Sequence, residues 1–311
     1  MPRYRQFALT VLALVAFAAN SLLCRAALKS ASIDPATFTT IRLVSGALVL
    51  WLLFRARPGI AQGAGNWPSA AALFAYAAGF SFAYITLSTA TGALLLFGAV
   101  QATMIGRGLW RGERLAKVQL AGLLLALVGV LFLLLPDAAA PALLPSLLML
   151  GAGVAWGVYS LRGRGAGDPL SVTAGNFVRA VPMAMLLTLC TVRHIHLEAA
   201  GVAYAVLSGA LASGVGYAVW YSVLPALKAS TASIAQLGVP IIAAAAAIVF
   251  LGEPVSLRFA LAALAVLGGI WLVLGGRRRV ASEPFPNSGG AMERADTVAA
   301  ADESVAPRRT D

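Results

Sequence analysis

Charged residues are scarce in this chain: Asp, Glu, Lys and Arg make up 11% of its 311 residues, against roughly a quarter in soluble domains. Hydrophobic residues make up 60%, and the mean hydropathy is +0.85. Too little polar surface is left to face water. This excludes an ordinary soluble enzyme, a nucleic-acid-binding domain and a disordered chain. Cysteine is nearly absent. Cys24 and Cys190 both sit in apolar stretches, read as buried filler near one membrane face rather than a disulfide framework or a metal motif. The two histidines, His194 and His196, fall in one short loop, Arg193 to Glu198, read as solvated. No apolar run holds a histidine, and neither H-E-x-x-H nor G-x-S-x-G occurs. An intramembrane hydrolase needs such ligands or such a nucleophile–base pair, so the chain does not read as an enzyme. No cofactor signature is present. No small-residue cleavage site follows the first apolar run, which therefore reads as a span rather than a signal peptide.

What the chain does have is long apolar runs, at 6–28, 36–54, 67–87, 91–110, 117–135, 143–161, 172–192, 199–220, 230–250 and 257–275. A membrane-crossing helix needs about 20 apolar residues. Ten of them leave connections of about eight residues, a usual length between packed helices. The expected fold is an all-α integral membrane protein with ten transmembrane helices. Bases support an even number of spans. With the N-terminus inside, 14 arginines and lysines fall on the cytoplasmic side and 4 outside, the asymmetry of the positive-inside rule. From Val280 on, six acids oppose three arginines, so residues 1–279 carry +14 of a total of +11. That basicity reads as membrane topology rather than nucleic-acid binding. The tail, 280–311, with Pro284, Pro286, Gly289 and Gly290, reads as disordered and cytoplasmic.

The chain also repeats. Gly112-Glu113 and Gly252-Glu253 stand 140 residues apart, each between two apolar runs. At the same offset Thr91 pairs with Thr231, Gly98 with Gly238 and Gly129 with Gly269. Asp34-Pro35 and Asp168-Pro169 each open a span that carries one arginine, Arg42 and Arg179. Five spans is an odd number, so the second half, 143–275, must enter the membrane from the side opposite to the first, 6–135. The two halves form an inverted repeat, a recurring transporter architecture.

These features resemble the drug/metabolite transporter superfamily, in particular proteins with paired EamA-like domains. The resemblance rests on Ile41-Arg42-Leu43 and Phe177-Val178-Arg179, on Ala155-Trp156-Gly157, and on Gly238-Val239-Pro240 followed by Leu251-Gly252-Glu253-Pro254. The first half departs from it, with Val100 where the second has Pro240 and no Trp-Gly near Ala16-Phe17. The resemblance implies a ten-helix transporter of small metabolites, amino-acid-like or drug-like, in the inner membrane, often an exporter. The rival readings are an intramembrane enzyme and a membrane sensor or assembly subunit.

All six acids before the tail lie in loops or at span ends, which speaks against a proton relay through a buried carboxylate and for a facilitator or exchanger. Arg42 and Arg179 lie about 10 Å deep at 1.5 Å per residue. Each either snorkels to the interface or binds an anionic group of the substrate, the two then acting as paired gates. Pro240 removes an N–H and crowds the carbonyl of Gln236, so Gln236 and Pro240 read as a polar point at mid-span. Asn20, Tyr84, Gln101, Trp156, Tyr159, Asn176 and Tyr217 complete the expected substrate contacts. Trp67, Trp110, Trp220 and Tyr221, at span ends, read as interfacial belt residues. Small residues every four positions, Ser208, Ala212 and Gly216 with Gly209 and Ser213, mark a face for close helix approach. The expected partners are a small-molecule substrate and the lipid bilayer, with no nucleic acid. The Gly/Ala-rich faces leave a homodimer open.

Overall fold

The computed structural model describes residues 2–56, 65–112, 116–135, 140–163, 167–223 and 235–280. Glu113, Asp137, Lys228 and the tail beyond 280 fall outside the described residues, as do the expectations attached to them. Among the described residues there are ten long helices: α1 (Arg3–Lys29), α2 (Pro35–Arg55), α3 (Trp67–Ala83), α4 (Thr89–Trp110), α5 (Lys117–Leu134), α6 (Leu143–Arg162), α7 (Pro169–Cys190), α8 (Ala199–Val223), α9 (Gly238–Leu251) and α10 (Leu257–Val280). Extended structure is limited there to one isolated antiparallel bridge, Ile33 with Leu197. In the ninth apolar run residues 235–236 are helical, the chain turns at Leu237, and α9 begins at Gly238.

Local chemistry sets the helix starts. Asp34, Asn66, Ser88 and Asp168 each cap a helix by accepting the backbone N–H three residues on, at 2.8–3.3 Å. Pro35, Pro68 and Pro169 follow in the first turn, where a missing N–H costs nothing. At the other end, Gly112 and Gly252 stop α4 and α9 with φ of +87° and +61°, a region in which a Cβ is strained.

The helices are inside out relative to a soluble bundle. In α5, Gln119, Gly122 and Gly129 are buried while Leu120, Leu124, Leu127, Val128 and Leu131 are exposed. In water that stripe would be an aggregation surface; against lipid tails it is the solvated face. Seven of the ten helices are long and apolar enough to cross a membrane, and Gly238–Leu251 and Leu257–Val273 are shorter apolar helices. The chain is a multi-pass membrane protein.

Contacts between loops show which helix ends lie together. At the end of the bundle where α1 finishes, Arg25 reaches the α3–α4 turn and the α9–α10 loop. There too His196 and Glu198 hydrogen-bond to the backbone or side chains of Asp34 and Ser32. At the end where α1 begins, Arg162 reaches Asn66 and Ser69, and Gln119 donates to the carbonyl of Val273. The main packing pairs are α2 with α7, α5 with α10, α4 with α9, α1 with α8 and α9, α6 with α3 and α4, α2 with α8, and α3 with α7.

Small residues set the closest of these contacts. A Cβ on Gly122 would lie 2.5 Å from the Gly269 carbonyl oxygen, and one on Gly129 would lie 2.8 Å from the Ala265 Cβ and 3.1 Å from the Ala262 carbonyl. Gly268, next in the chain to Gly269, faces open space. Gly269→Val should therefore lower the thermal midpoint in detergent by an amount matching about 1–3 kcal/mol of overpacking, while Gly268→Val leaves it nearly unchanged. Equal shifts would show that the α5–α10 contact is not tightly packed.

Candidate functional site

The site is built around Arg42. The Asp34 cap and Pro35 start α2, and Arg42 lies two turns further in. Helix α8 meets α2 at this level. Its middle, Ser208–Val215, is wound as a π-helix, a local widening that is frequent at functional sites. Gly209 in that segment packs directly on the carbonyl of Arg42 and the hydroxyl of Ser45, leaving no room for a Cβ. The approach brings Ser213 within reach of the guanidinium.

Arg42 is 2% exposed. Its Nη2 donates to Tyr76 Oη at 2.8 Å, and its Nε makes a longer bond, 3.4 Å, to Ser213 Oγ. The guanidinium carbon lies 5.1 Å from the centre of the Tyr76 ring and 4.9 Å from that of Phe80. Nη1 has no hydrogen-bond partner among the described residues. Tyr76 Oη also accepts from Asn20 Nδ2 at 3.2 Å, and Asn20 Oδ1 accepts from Ser208 Oγ at 2.6 Å. A polar relay thus runs from α8 through α1 and α3 to α2, inside an apolar bundle.

This relay borders a cavity of about 20 Å³, lined by Phe17, Asn20, Ser21, Tyr76, Phe80, Leu96, Phe97, Trp156, Ala212, Ser213 and Tyr217. That volume holds about one water, so the cavity must widen to take a solute. Its wall is largely aromatic. Trp156 stacks on Tyr217 (5.2 Å, 22°) and on Tyr159 (5.4 Å, 30°), and tilts onto Tyr76 at 4.9 Å. The lining comes from α1, α3 and α4 in the first half and α6 and α8 in the second.

Placing a lone cation at the centre of a membrane helix costs about 2.5–3.5 kcal/mol on insertion scales. Two ring faces return about 0.5–2 kcal/mol each, and the hydrogen bonds to Tyr76 and Ser213 add to that. Among the described residues no carboxylate joins the relay: Asp34, Asp168, Glu198 and Glu253 all cap or flank helices. Among the described residues no three His, Cys, Asp or Glu side chains gather to hold a metal. The arrangement is an aromatic-walled pocket with polar side chains, backed by a buried guanidinium that bonds two of its wall residues, Tyr76 and Ser213.

A relative in Pseudomonas aeruginosa, an uncharacterized protein, is 58% identical over 278 residues, which are 89% of this chain and 97% of the relative. The profile of the EamA-like transporter family matches residues 143–275. The chain belongs to the EamA-like transporter family. A solved crystal structure of a protein with 21% identity matches 88% of this chain and 99% of its own with a TM-score of 0.60, which speaks for the fold. The family profile is found once, over the second half, where two such domains are expected from the sequence.

Within this EamA-like chain the expected site residues separate. Asn20, Trp156 and Tyr217 line the cavity, Arg42 binds its wall, and Tyr159 stacks behind Trp156. Arg42 does not snorkel: it lies in the packed centre of the bundle, where its neighbours are side chains rather than interface. Arg179 is not its twin. It is half-buried, and its Nη1 donates at 2.9 Å to the carbonyl of Gly175 in its own helix. The position in α7 that matches Arg42, eight residues after the capping aspartate, is Asn176; its Oδ1 accepts the backbone N–H of Asn66 at 2.9 Å. Tyr84 is fully buried against Phe80 and Gly92, with its hydroxyl on the carbonyl of Thr89, outside the lining. Gln101 is buried in α4, also outside it. Pro240 stands just after the turn at Leu237 that separates helical residues 235–236 from α9, and neither it nor Gln236 lines the cavity. Trp220 is buried edge-on to Phe17 rather than in an interfacial belt, whereas Trp67 and Trp110 are exposed. Cys24 is buried and Cys190 exposed, both as free thiols.

Sequence reading missed Phe17, Tyr76, Phe80, Ser208 and Ser213 as site residues. The signal for the serines was present in the small-residue spacing of α8, which marked the face that meets α2.

At the end of the bundle where α1 finishes, a second polar cluster ties the halves together. Arg25 Nε pairs with Glu253 Oε1 at 3.0 Å, and Arg25 Nη1 donates to the carbonyls of Tyr84 and Ile85. Glu253 Oε2 accepts the N–H of Thr89 at 2.7 Å, at the positive end of α4. The pair is 12% and 7% exposed. Removing one member of such a pair strands the other, at about 3–5 kcal/mol. Arg25→Met should therefore destabilise the protein strongly. Arg25→Met with Glu253→Gln should recover part of that loss, which a double-mutant cycle of thermal midpoints measures; additive losses would deny the coupling.

Proposed function

We propose that this protein carries small metabolites, amino-acid-like or drug-like solutes, across the inner membrane by alternating access, as an exporter or facilitator and not as an enzyme. The observation that carries this reading is the polar, aromatic cavity buried mid-bundle and shared by helices of both halves. Such a position suits a site that is reached from either side in turn.

Two lines support an inverted repeat of five helices. The packing pairs exchange into one another when each helix is replaced by the one five places on: α1–α8 becomes α6–α3, α1–α9 becomes α6–α4, and α2–α8 becomes α7–α3. The pairs α2–α7, α4–α9 and α5–α10 map onto themselves. The glycine contacts agree: moving Gly122 on Gly269 by the 140-residue offset yields Ala262 on Gly129, which also touch. On this reading both termini are cytoplasmic, as the distribution of bases favours. The Arg25–Glu253 pair then seals the outer side.

The absence of any carboxylate from the described relay favours a mechanism without a proton relay. In proteoliposomes, uptake of labelled metabolites should proceed at the same rate with and without an imposed pH gradient. Accumulation driven by the gradient would overturn the facilitator mechanism. No flux of any solute across a broad panel would overturn the transporter reading itself.

A further inference from the structure

We propose that the central cavity binds small organic monocarboxylates with an apolar, ring-sized body, held by Nη1 of Arg42 and the hydroxyl of Tyr76. This rests on the reading of the chain as a transporter of small solutes and assigns the solute class.

Arg42 is buried and uses Nε and Nη2, but Nη1 meets no acceptor among the described residues. Buried donors are nearly always satisfied, so an orphan on a cation marks the place of an acceptor that comes with the ligand. Tyr76 Oη accepts twice, from Arg42 and from Asn20, which leaves its own proton to donate. Two donors about one guanidinium suit a carboxylate, whose oxygens only accept.

The charge count limits the class further. Arg42 bonds Tyr76 and Ser213 of the cavity wall, Arg25 is paired with Glu253, and Arg179 Nη1 donates to the carbonyl of Gly175. A single positive charge matches a single negative one, so a dianion would bring a charge without a partner into a low dielectric. Among the described residues no acid borders the cavity to receive an ammonium group, so a zwitterionic amino acid would bury its amine without a counter-charge. The rest of the wall, Phe80, Trp156 and Tyr217 with Leu96 and Phe97, is aromatic and aliphatic, and once the cavity widens it suits an apolar body.

The test is thermal stabilisation of the purified full-length protein by four probes of one shape: 3-phenylpropionate, 3-phenylpropionamide, phenylalanine and phenethylamine. The expected result is a dose-dependent rise in midpoint with phenylpropionate, at an apparent affinity about ten- to a hundredfold above the other three, as a charge-assisted bond implies. Arg42→Gln should abolish the rise, Arg42→Lys should keep part of it, and Tyr76→Phe should weaken it several-fold. If Arg42→Gln does not fold, the last two variants still decide. The proposal is overturned if the amide, the amino acid or the amine stabilises as well as the carboxylate, or if neither Arg42→Lys nor Tyr76→Phe alters the carboxylate's effect. Flux in proteoliposomes separates the two levels. Transport of other solutes but not of monocarboxylates would sink this assignment and leave the transporter reading standing. Carboxylate binding through Arg42 without flux of any solute would do the reverse.

Discussion

A guanidinium without an acid partner, held in the middle of an apolar bundle, is the constraint on which the rest of this structure turns. Arg42 is almost fully buried, so its charge has to be borne by neighbours that are themselves only partly polar. Two ring faces, a phenol oxygen and a serine hydroxyl do this. Each needs a backbone in a particular place. Helix α8 reaches Arg42 because Gly209 has no side chain and because the π-helical turn widens around it. Tyr76 is held in place by Asn20, and Asn20 by Ser208. Removing any one leaves a buried polar group unmatched, and an incomplete buried network is worse than none.

The protein treats its two buried charged clusters in opposite ways. Arg25 meets Glu253, two carbonyls and, through the glutamate, the N-terminus of α4, so that charge is fully compensated and the elements around it are tied. Arg42 is left one donor short, next to a cavity. The glycine contacts between α5 and α10 are apolar, and hold those two helices together without any charge.

Much of the fold is legible in the chain itself, and for physical reasons that are local. Bilayer thickness sets the length of an apolar run, so the helices follow those runs closely. Asp34-Pro35 and Asp168-Pro169 announce helix starts because a capping carboxylate and a proline both suit the first turn, and Gly112 and Gly252 announce stops because they take positive φ. The site was legible in part. Asn20, Arg42, Trp156 and Tyr217 stand out as polar or amphipathic groups inside apolar runs. Tyr76, Phe80 and Phe17 do not, since a helix apolar all round gives no sign of which face meets its neighbours.

The same limit explains the errors. Arg42 and Arg179 have nearly the same local setting, an arginine two to three turns past an Asp-Pro start. One lies under α8 and the rings of α3; the other folds onto a carbonyl of its own helix. Pro240 follows a turn at Leu237 that separates helical residues 235–236 from α9, yet it does not line the cavity. The sequence by itself determined that the chain lives in a membrane, where its helices begin and end, and that a few polar groups lie inside them, because each depends on solvation and on neighbours within a turn or two. Which of those groups meet was decided by the tertiary structure alone, because in a chain apolar on every face only the packing of distant helices selects what is brought to the centre.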